Sequence, residues 1–436
     1  MSVAQNVSQV AQRERVEQVK PTRRSLVAAV AAIALEGYDL AIYGIFAGVI
    51  ARVFFPKDEA SLGLMLTVAT LGVGYLMRPL GAIVLGALGD KKGRRTAIVL
   101  TVVLMSLSTG LIGLVPSYQS IGVAAPCLVL LLRLCQGFAA GGAAGSSMAY
   151  LAETAPPKLR GLLTSWQQSG QFGAFVIASG IGAAVNSWMS ADLAQSIGWR
   201  IPFVLALILG PLGFWIQSRL EEPATSQSSM DANTVADSQA ATRQNLRGVF
   251  IGCGVTCLWS ISAFVLVIFM PTYANRNFSI PLSDAFLSGT MGGVLLFLLC
   301  PLMGRLSDAF GRKPVMLIGA ALIALCIYPL FHYLAAQPGL GRLIQIQSVL
   351  ALLISIYIGP IAAFMAELFT TRRRSTGLSI AYNLAVLLVG AFGPLITTWL
   401  IEFTRDPLAP AWYVAGGAVV SFVTLLFARD QTGRVL

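Results

Sequence analysis

Long apolar runs separated by short polar stretches fill most of this 436-residue chain. A bilayer core about 30 Å thick needs about 20 apolar residues per helix, and by this measure the pattern predicts twelve membrane-spanning helices. They lie near residues 26–52, 61–88, 96–115, 121–152, 162–188, 200–218, 248–273, 283–304, 314–336, 341–369, 376–401 and 409–428. The sequence therefore predicts an all-α membrane protein.

One polar stretch is longer than the others and divides the helices six and six. Its composition, rich in Ser, Asp, Gln, Ala and Asn, is typical of a flexible linker. We expect a cytoplasmic N-terminal tail (1–25), an N-terminal six-helix bundle (26–218), a cytoplasmic linker (219–247), a C-terminal six-helix bundle (248–428) and a cytoplasmic C-terminus (429–436).

Composition supports a lipid-solvated protein. Hydrophobic residues make up 56% of the chain and charged residues 11%, whereas a soluble domain carries about 25% charged residues. The net charge of +11 is spread over short loops, which argues against nucleic-acid binding. Six cysteines within apolar runs and a single histidine predict neither a metal site nor a cofactor.

The distribution of basic residues predicts the orientation. Of the 30 Lys and Arg residues, 22 fall on the side of the predicted N-terminus, 6 on the other side and 2 within spans. Basic loops stay in the cytoplasm, so both termini are expected there. We expect a multi-pass protein of a bacterial cytoplasmic (inner) membrane, and a monomer.

A short basic turn occurs twice, once in each half of the chain. The first copy contains Gly86, Asp90, Gly93, Arg94 and Arg95, and the second contains Gly304, Asp308, Gly311, Arg312 and Lys313. Self-similarity at a fixed offset indicates repeated structural units, here two pseudo-symmetric halves. The aspartates are suited to accept hydrogen bonds from a neighbouring helix N-terminus and so to hold the cytoplasmic side shut. The alternative is that the turns are topology signals only.

A second pattern repeats at nearly the same offset. Glu153 and Arg160 follow the fourth predicted helix of the first half, and Glu367 and Arg374 follow the fourth helix of the second half. Six-helix repeats with a site between them, near the membrane midplane, are a known transporter plan. These four residues are therefore predicted to join the two turns in a conformational gate.

The first predicted helix carries two carboxylates. Glu36 and Asp39 are three residues apart and Tyr43 lies four beyond, so all three share one helical face. Two carboxylates this close in a low dielectric do not both ionise easily, which favours one of them as a proton carrier; which one stays open. Arg78, followed by Pro79, is the expected counter-charge: it pairs with Asp39 when the site is empty and binds a substrate carboxylate when it is full. A purely structural ion pair is the alternative.

Further polar residues lie inside predicted spans. Arg133 and Gln136 begin a glycine-rich part of the fourth span, where Arg133 either takes part in coupling or extends to the outer membrane surface. Other candidates for a polar site are Gln167, Gln168 and Gln171 in the fifth span and Tyr382 and Asn383 in the eleventh. These neutral groups either complete a polar site or bond helix to helix.

These motifs resemble the major facilitator superfamily over essentially the whole chain. The turns at residues 86–95 and 304–313 resemble its signature loop and the repeat of that loop, and Arg133-x-x-Gln136-Gly137 resembles its fourth-helix motif. A narrower resemblance, to bacterial metabolite:proton symporters, rests on Glu36-x-x-Asp39, Arg78-Pro79-Leu-Gly81, Gly198-Trp199-Arg200, Ala366-Glu367 and Tyr382-Asn383. Within that family the chain most resembles citrate and tricarballylate carriers, at Phe54-Phe55-Pro56, Pro116-Ser-Tyr-Gln119, Tyr150-Leu-Ala-Glu153 and Thr164-Ser165-Trp166-Gln167. One departure is Ala143, where relatives often carry a glutamate.

The resemblance implies a secondary active transporter, not an enzyme, that imports a small organic acid such as citrate by proton symport and alternating access. With Ala143 in place of an acid, the cavity is expected to be more positive and to favour an anion. The open alternatives are proline or betaine symport, drug efflux by proton antiport, and a non-transporting nutrient sensor. The expected partners are the organic acid, protons and the lipid bilayer.

Overall fold

The computed structural model describes residues 23–55, 60–218 and 239–434, which are almost entirely helical. The first half contains α1 (Arg23–Ile45, continued by Ala47–Phe54), α2 (Ala60–Lys92), α3 (Arg94–Leu114), α4 (Ala124–Thr154), α5 (Arg160–Trp188) and α6 (Arg200–Ser218). The second half contains α7 (Gln239–Ile261, Ser262–Phe269 and Met270–Phe278), α8 (Leu282–Phe310), α9 (Arg312–Ala336), α10 (Leu340–Ile358 and Ile361–Glu367), α11 (Arg374–Ala385, Val386–Gly390 and Gly393–Thr404) and α12 (Ala409–Phe427).

The twelve-helix prediction is confirmed. Among the described residues nine helices are long and apolar enough to cross a membrane, and the two pieces of α1, bent by 68°, make a tenth. The remaining two are α5 and α6. The middle of α5 contains three glutamines, Gln167, Gln168 and Gln171, which lower its hydropathy although it is 29 residues long.

The predicted boundaries differ from the helices mainly at the linker. α7 begins at Gln239, within the predicted linker 219–247. The prediction placed its start later because a count of consecutive apolar residues detects only the apolar part of a helix. The rest of that linker (219–238), most of the predicted N-terminal tail (1–22) and the last two residues (435–436) lie outside the described residues.

Glycines bring α2 and α4 into backbone contact. A Cβ atom added at Gly81 would lie 1.9 Å from the carbonyl oxygen of Phe138, and one at Gly137 would lie 1.8 Å from that of Gly74. Only glycine permits such an approach. The contact sets the two helices side by side, and with them the two arginines that they carry within the membrane.

Two helices of the second half are irregular where they approach the interface between the halves. α7 contains the π-helical segment Ser262–Phe269, and α11 contains Val386–Gly390. π-Helical turns often accompany functional sites, and irregular backbone within a membrane is tolerated where it lines a cavity. Both segments border the cavity described next.

Candidate functional site

A cavity of about 50 Å³ lies between the two halves. Its polar lining comes from Glu36, Tyr75, Arg78, Gln171, Ser260 and Tyr382. Aromatic residues from both halves close it, namely Phe172 and Phe175 of α5 and Trp259 and Phe264 of α7. This volume has room for a few water molecules only, so the halves must separate before a metabolite can enter.

Arg78 and Glu36 form a buried ion pair in the wall of this cavity. Arg78 Nη1 lies 2.6 Å from Glu36 Oε1, and the two side chains are 8% and 5% exposed. The guanidinium also lies over the ring of Tyr75, 4.3 Å from its centroid. The expected pairing of Arg78 with Asp39 is therefore wrong for this state, because Glu36, one helical turn away from Asp39, is the carboxylate that faces α2.

Asp39 belongs to a second ion pair. Its Oδ2 lies 2.7 Å from Arg133 Nη1, and its Oδ1 accepts hydrogen bonds from Gln136 Nε2 at 2.8 Å and from Thr109 Oγ1 at 3.0 Å. The Arg133 guanidinium stacks on Tyr43, 3.4 Å from the ring centroid. Arg133 is thus held inside the bundle and does not extend to the membrane surface, because a buried carboxylate and an aromatic face are available to it.

The two carboxylates differ in how fully they are bonded. Asp39 receives three donors, whereas Glu36 Oε2 has no hydrogen-bond partner among the described residues although it is buried. A second cavity, of about 30 Å³, is lined by both ion pairs. It provides a polar space between Glu36 and Asp39 within a bundle that is otherwise tightly packed.

The other predicted binding residues divide into two groups. Tyr382 lines the main cavity and packs on Trp259, with ring centroids 4.6 Å apart. Asn383 donates to the carbonyl oxygens of Gly141 and Ser379, both at 2.8 Å, and Gln167 donates to that of Ala144 at 3.3 Å. These two bond helix to helix, which was the alternative reading.

Gln168 and Tyr43 are fully buried, but neither lines the main cavity. Tyr43 acts on the site through its stack with Arg133.

Sequence reasoning missed several lining residues. Gln171 is not among them, because its place beside Gln167 and Gln168 already made it a candidate, and it does line the cavity. Tyr75, Trp259, Ser260 and Phe264 occur within apolar runs, so nothing in the sequence distinguishes them from residues packed against lipid or core.

One end of the bundle carries both basic turns, and we call it the basic end. Its charged residues form two clusters, which we call the first gate (Asp90, Arg94, Glu153 and Arg374) and the second gate (Asp308, Arg312, Glu367 and Arg160). In the first gate, Asp90 accepts hydrogen bonds from the backbone N–H groups of Ser375 (3.0 Å) and Thr376 (2.9 Å), at the start of α11. It also accepts from Thr376 Oγ1 and pairs with Arg94. A carboxylate at a helix N-terminus satisfies free N–H groups and offsets the positive end of the helix dipole.

Glu153 completes the first gate. Its side chain is fully buried and lies 3.1 Å from Arg94 Nη2 and 2.7 Å from Arg374 Nη1. Arg374 belongs to the second half, so this carboxylate joins the halves.

The second gate repeats this arrangement with the halves exchanged. Asp308 accepts from the N–H groups of Gly161 (2.7 Å) and Leu162 (3.0 Å), at the start of α5. Glu367 lies 2.8 Å from Arg160 Nη1 and 3.2 Å from Arg312 Nε. Together the two gates close the basic end.

The remaining gate residues of the prediction shape the two turns. Gly93 and Gly311 adopt φ values of 99° and 93°, a conformation that residues with a side chain rarely adopt. Gly86 and Gly304 lie where α2 approaches α11 and α8 approaches α5. Lys313 instead donates to the carbonyl oxygens of Leu426 and Ala428 at the end of α12. Arg95 follows Arg94 in the first turn of α3 and is half-buried.

Comparison with known proteins gives one consistent result. A family model described as Sugar (and other) transporter matches residues 25–223, and one described as Major Facilitator Superfamily matches residues 252–435. The chain is 35% identical over 404 residues to a citrate-proton symporter of Salmonella typhi, and the alignment covers 92% of this chain and 93% of the relative. It is 32% identical over 428 residues to a proline/betaine transporter of Salmonella typhimurium, with 95% and 85% covered.

The fold is similar to that of a solved transporter. The structure of the proton:xylose symporter XylE bound to 6-bromo-6-deoxy-D-glucose superposes with a TM-score of 0.78 at 19% identity. The match covers 94% of this chain and 96% of that chain.

Proposed function

Because the chain belongs to the major facilitator superfamily, we propose that it imports a small organic acid together with protons by alternating access. The observation that carries this proposal is the Arg78–Glu36 pair in the cavity between the halves. Ionisable groups within a membrane are costly and mark substrate or ion pathways. We further propose that the basic end faces the cytoplasm of a bacterium and that the protein acts in the inner membrane as a monomer.

In the proposed cycle a substrate carboxylate and Glu36 compete for Arg78. With the site empty, the two charges of the Arg78–Glu36 pair cancel. When Glu36 takes a proton it becomes neutral, Arg78 is released, and a substrate carboxylate restores the charge balance with a bidentate contact. The carboxylate on Arg78 and the proton on Glu36 then cross together, because either alone leaves a net charge buried in low dielectric. Each further carboxylate of a di- or tricarboxylate needs a proton or a counter-charge of its own.

Asp39 has a different role in this proposal. Three donors bond its carboxylate, whereas Glu36 Oε2 has no partner among the described residues, so releasing Glu36 from its arginine breaks fewer hydrogen bonds. We assign the proton that is exchanged with substrate to Glu36. We propose that Asp39 holds Arg133 in position and thereby maintains the small polar cavity between the two ion pairs.

For the substrate we propose a di- or tricarboxylate such as citrate. The named activity of the Salmonella typhi relative supports this class, as does the arginine in the cavity wall. A second candidate is a zwitterion such as betaine or proline. The packed rings of Trp259 and Tyr382, beside Arg78, favour it, because an ammonium group binds aromatic faces. The named activity of the Salmonella typhimurium relative also supports it.

The experiment is uptake by the purified protein in proteoliposomes. Labelled citrate, tricarballylate, proline and betaine are each supplied with and without an imposed inward proton gradient. Accumulation of a carboxylate that depends on the gradient supports the proposal. Accumulation of betaine or proline instead would replace the substrate class, and gradient-driven expulsion of a dye would overturn import.

Two matched variants test the roles of the carboxylates. Glu36→Gln is neutral at all pH values and should abolish gradient-driven accumulation while exchange of internal for external substrate continues. Asp39→Asn should lower both activities by weakening the Arg133 cluster. Glu402→Gln, at an exposed carboxylate of α11, is the control and should change neither. Gradient-driven accumulation that survives in Glu36→Gln would contradict the assignment.

A further inference from the structure

A pocket of about 390 Å³ lies at the basic end, apart from the central cavity. α7 contributes Arg243 and Arg247 to its lining, and the segment after α12 contributes Arg429 and Arg434. Its volume falls within the range of about 300–1,000 Å³ that is common for small-molecule sites. The transport cycle proposed above uses none of these four side chains.

The pocket is strongly positive. Among the residues that line it, four are arginines and none is acidic. Within the described part of the chain, Arg243 and Arg429 form neither a hydrogen bond nor an ion pair. All four arginines are exposed, so solvent screens their charges in part, and a bound anion would offset the like charges around the pocket.

Two of the arginines are fixed in place by hydrogen bonds. Arg247 Nη2 donates to the carbonyl oxygen of Phe427 at 3.0 Å, at the end of α12. Arg434 Nη1 donates to Gln431 Oε1 at 2.7 Å, and the Arg434 carbonyl oxygen accepts from Arg160 at 2.8 Å. Arg247 and Arg434 are thus held at the pocket by hydrogen bonds, whereas the guanidinium groups of Arg243 and Arg429 are not engaged by any described residue.

The helices beside the pocket expose large apolar side chains. Phe250, one turn beyond Arg247 on α7, is 77% exposed, and Phe427 is 70% exposed. On membrane-spanning helices such side chains are expected to face acyl chains, and arginines beyond the apolar part are expected to lie at the level of headgroups. Guanidinium groups bind phosphate oxygens bidentately.

From this geometry we propose that the pocket binds the phosphate group of an anionic ligand, either the headgroup of an anionic phospholipid or a soluble phosphate. The test measures binding alone and no transport, so its failure leaves the proposed function untouched. Full-length protein in detergent is titrated separately with phosphatidylglycerol, phosphatidylcholine, inorganic phosphate and glycerol 3-phosphate. Binding is read by native mass spectrometry for the lipids and by calorimetry for the soluble anions.

The variant pair is Arg243→Gln with Arg429→Gln, which removes the two guanidinium groups without disturbing a described contact. The matched control removes two lysines, Lys91→Gln with Lys92→Gln, from the exposed end of α2 at the same face. We expect the arginine variant to weaken binding about tenfold and the lysine variant to leave it unchanged.

The outcomes distinguish the sources of the ligand. Retention of phosphatidylglycerol over phosphatidylcholine, lost only in the arginine variant, supports a lipid headgroup. Binding of inorganic phosphate and glycerol 3-phosphate, with both lost equally in the arginine variant, supports a soluble phosphate. Binding of none of the four probes, or binding equal in the two variants, would overturn the proposal.

Discussion

Asp90 and Asp308 occupy equivalent places in the two halves, and each accepts N–H groups at the start of a helix in the other half. The first gate adds a hydroxyl, because Thr376 also donates its Oγ1 to Asp90. At the second gate the equivalent position is Leu162, which has no side-chain donor. One duplicated motif thus produces two gates that differ in the number of their bonds.

The glutamates show the same difference. Glu153 is bonded by two arginines, and no atom of it is left without a partner in the described structure. At the second gate Glu367 Oε2 and Arg312 Nε face each other at 3.2 Å without a hydrogen bond of good geometry, and Arg312 Nη1 has no hydrogen-bond partner among the described residues. The segment after α12 compensates: the hydroxyl of Thr432 accepts from the N–H of Arg312 at 3.0 Å, and the Arg434 carbonyl accepts from Arg160.

The comparison teaches that the second gate depends on a part of the chain that the first gate does not need. Duplication fixes the backbone plan and the four charged positions of each gate. Residues outside the repeat decide how firmly each gate closes. The first gate should therefore be the stronger of the two, and the following predictions test this order.

The largest effect is expected for Glu153→Gln. This variant leaves Arg94 and Arg374 buried without a full counter-charge, which costs about 3–5 kcal/mol. Glu367→Gln should cost less, because Glu153 accepts three hydrogen bonds from arginines whereas Glu367 accepts one. The free energy of unfolding in mixed detergent and dodecyl sulfate measures both. An equal or larger loss for Glu367→Gln would reverse the proposed order.

Asp90→Asn should be next in size. The asparagine amide has one acceptor oxygen where the aspartate carboxylate has two, and it carries no charge. Each hydrogen bond to the charged carboxylate that is lost should cost about 1.5–3 kcal/mol. Asp90 has three such donors besides Arg94, and Asp308 has two besides Arg312. Spin labels on either half of the basic end, in a cysteine-free background, should therefore report more open molecules for Asp90→Asn than for Asp308→Asn. Equal open fractions for the two variants would show that the first gate is not the stronger one.

Gly93→Ala and Gly311→Ala should each cost about 1–3 kcal/mol, because both turns require a positive φ. The second variant is expected to cost slightly more, since the new Cβ atom would lie 2.9 Å from Asp430 Oδ2. Thermal unfolding of the purified variants measures this. Alanine at Gly339, where the surroundings are open and φ is extended, is the control.

The smallest effect is expected for Thr432→Ala. It removes one acceptor from the second gate and should cost about 0.5–1.5 kcal/mol. Of the two gates, Thr432 contacts only the second. Thr432→Ala should therefore raise the open fraction more in the Asp308→Asn background than in the Asp90→Asn background. A double-mutant cycle on the open fraction checks this coupling. Coupling of equal size with both aspartates would show that the terminal segment acts on the whole basic end.

The sequence predicted the fold, and it named the eight charged residues that the structure brings together at the basic end. Twelve apolar runs, and charges repeated in the second half at nearly constant offsets, were sufficient because membrane spans and duplicated turns are local patterns. The lining of the cavity was predicted only in part. Arg78, Glu36 and Tyr382 lie there, but Gln167 and Asn383 turn to neighbouring backbones. A polar residue in a span must bond to something, and its sequence position does not say to what.

By itself, the sequence determined that the chain spans a membrane in two related halves, because hydropathy and repetition are properties of the residues in order. It also determined that two acids and two arginines lie within the membrane. Only the tertiary structure decided that Glu36 pairs with Arg78 and Asp39 with Arg133. That choice depends on the backbone contact of α2 with α4 and on which face of α1 each helix meets, and both are set by packing between segments far apart in the chain.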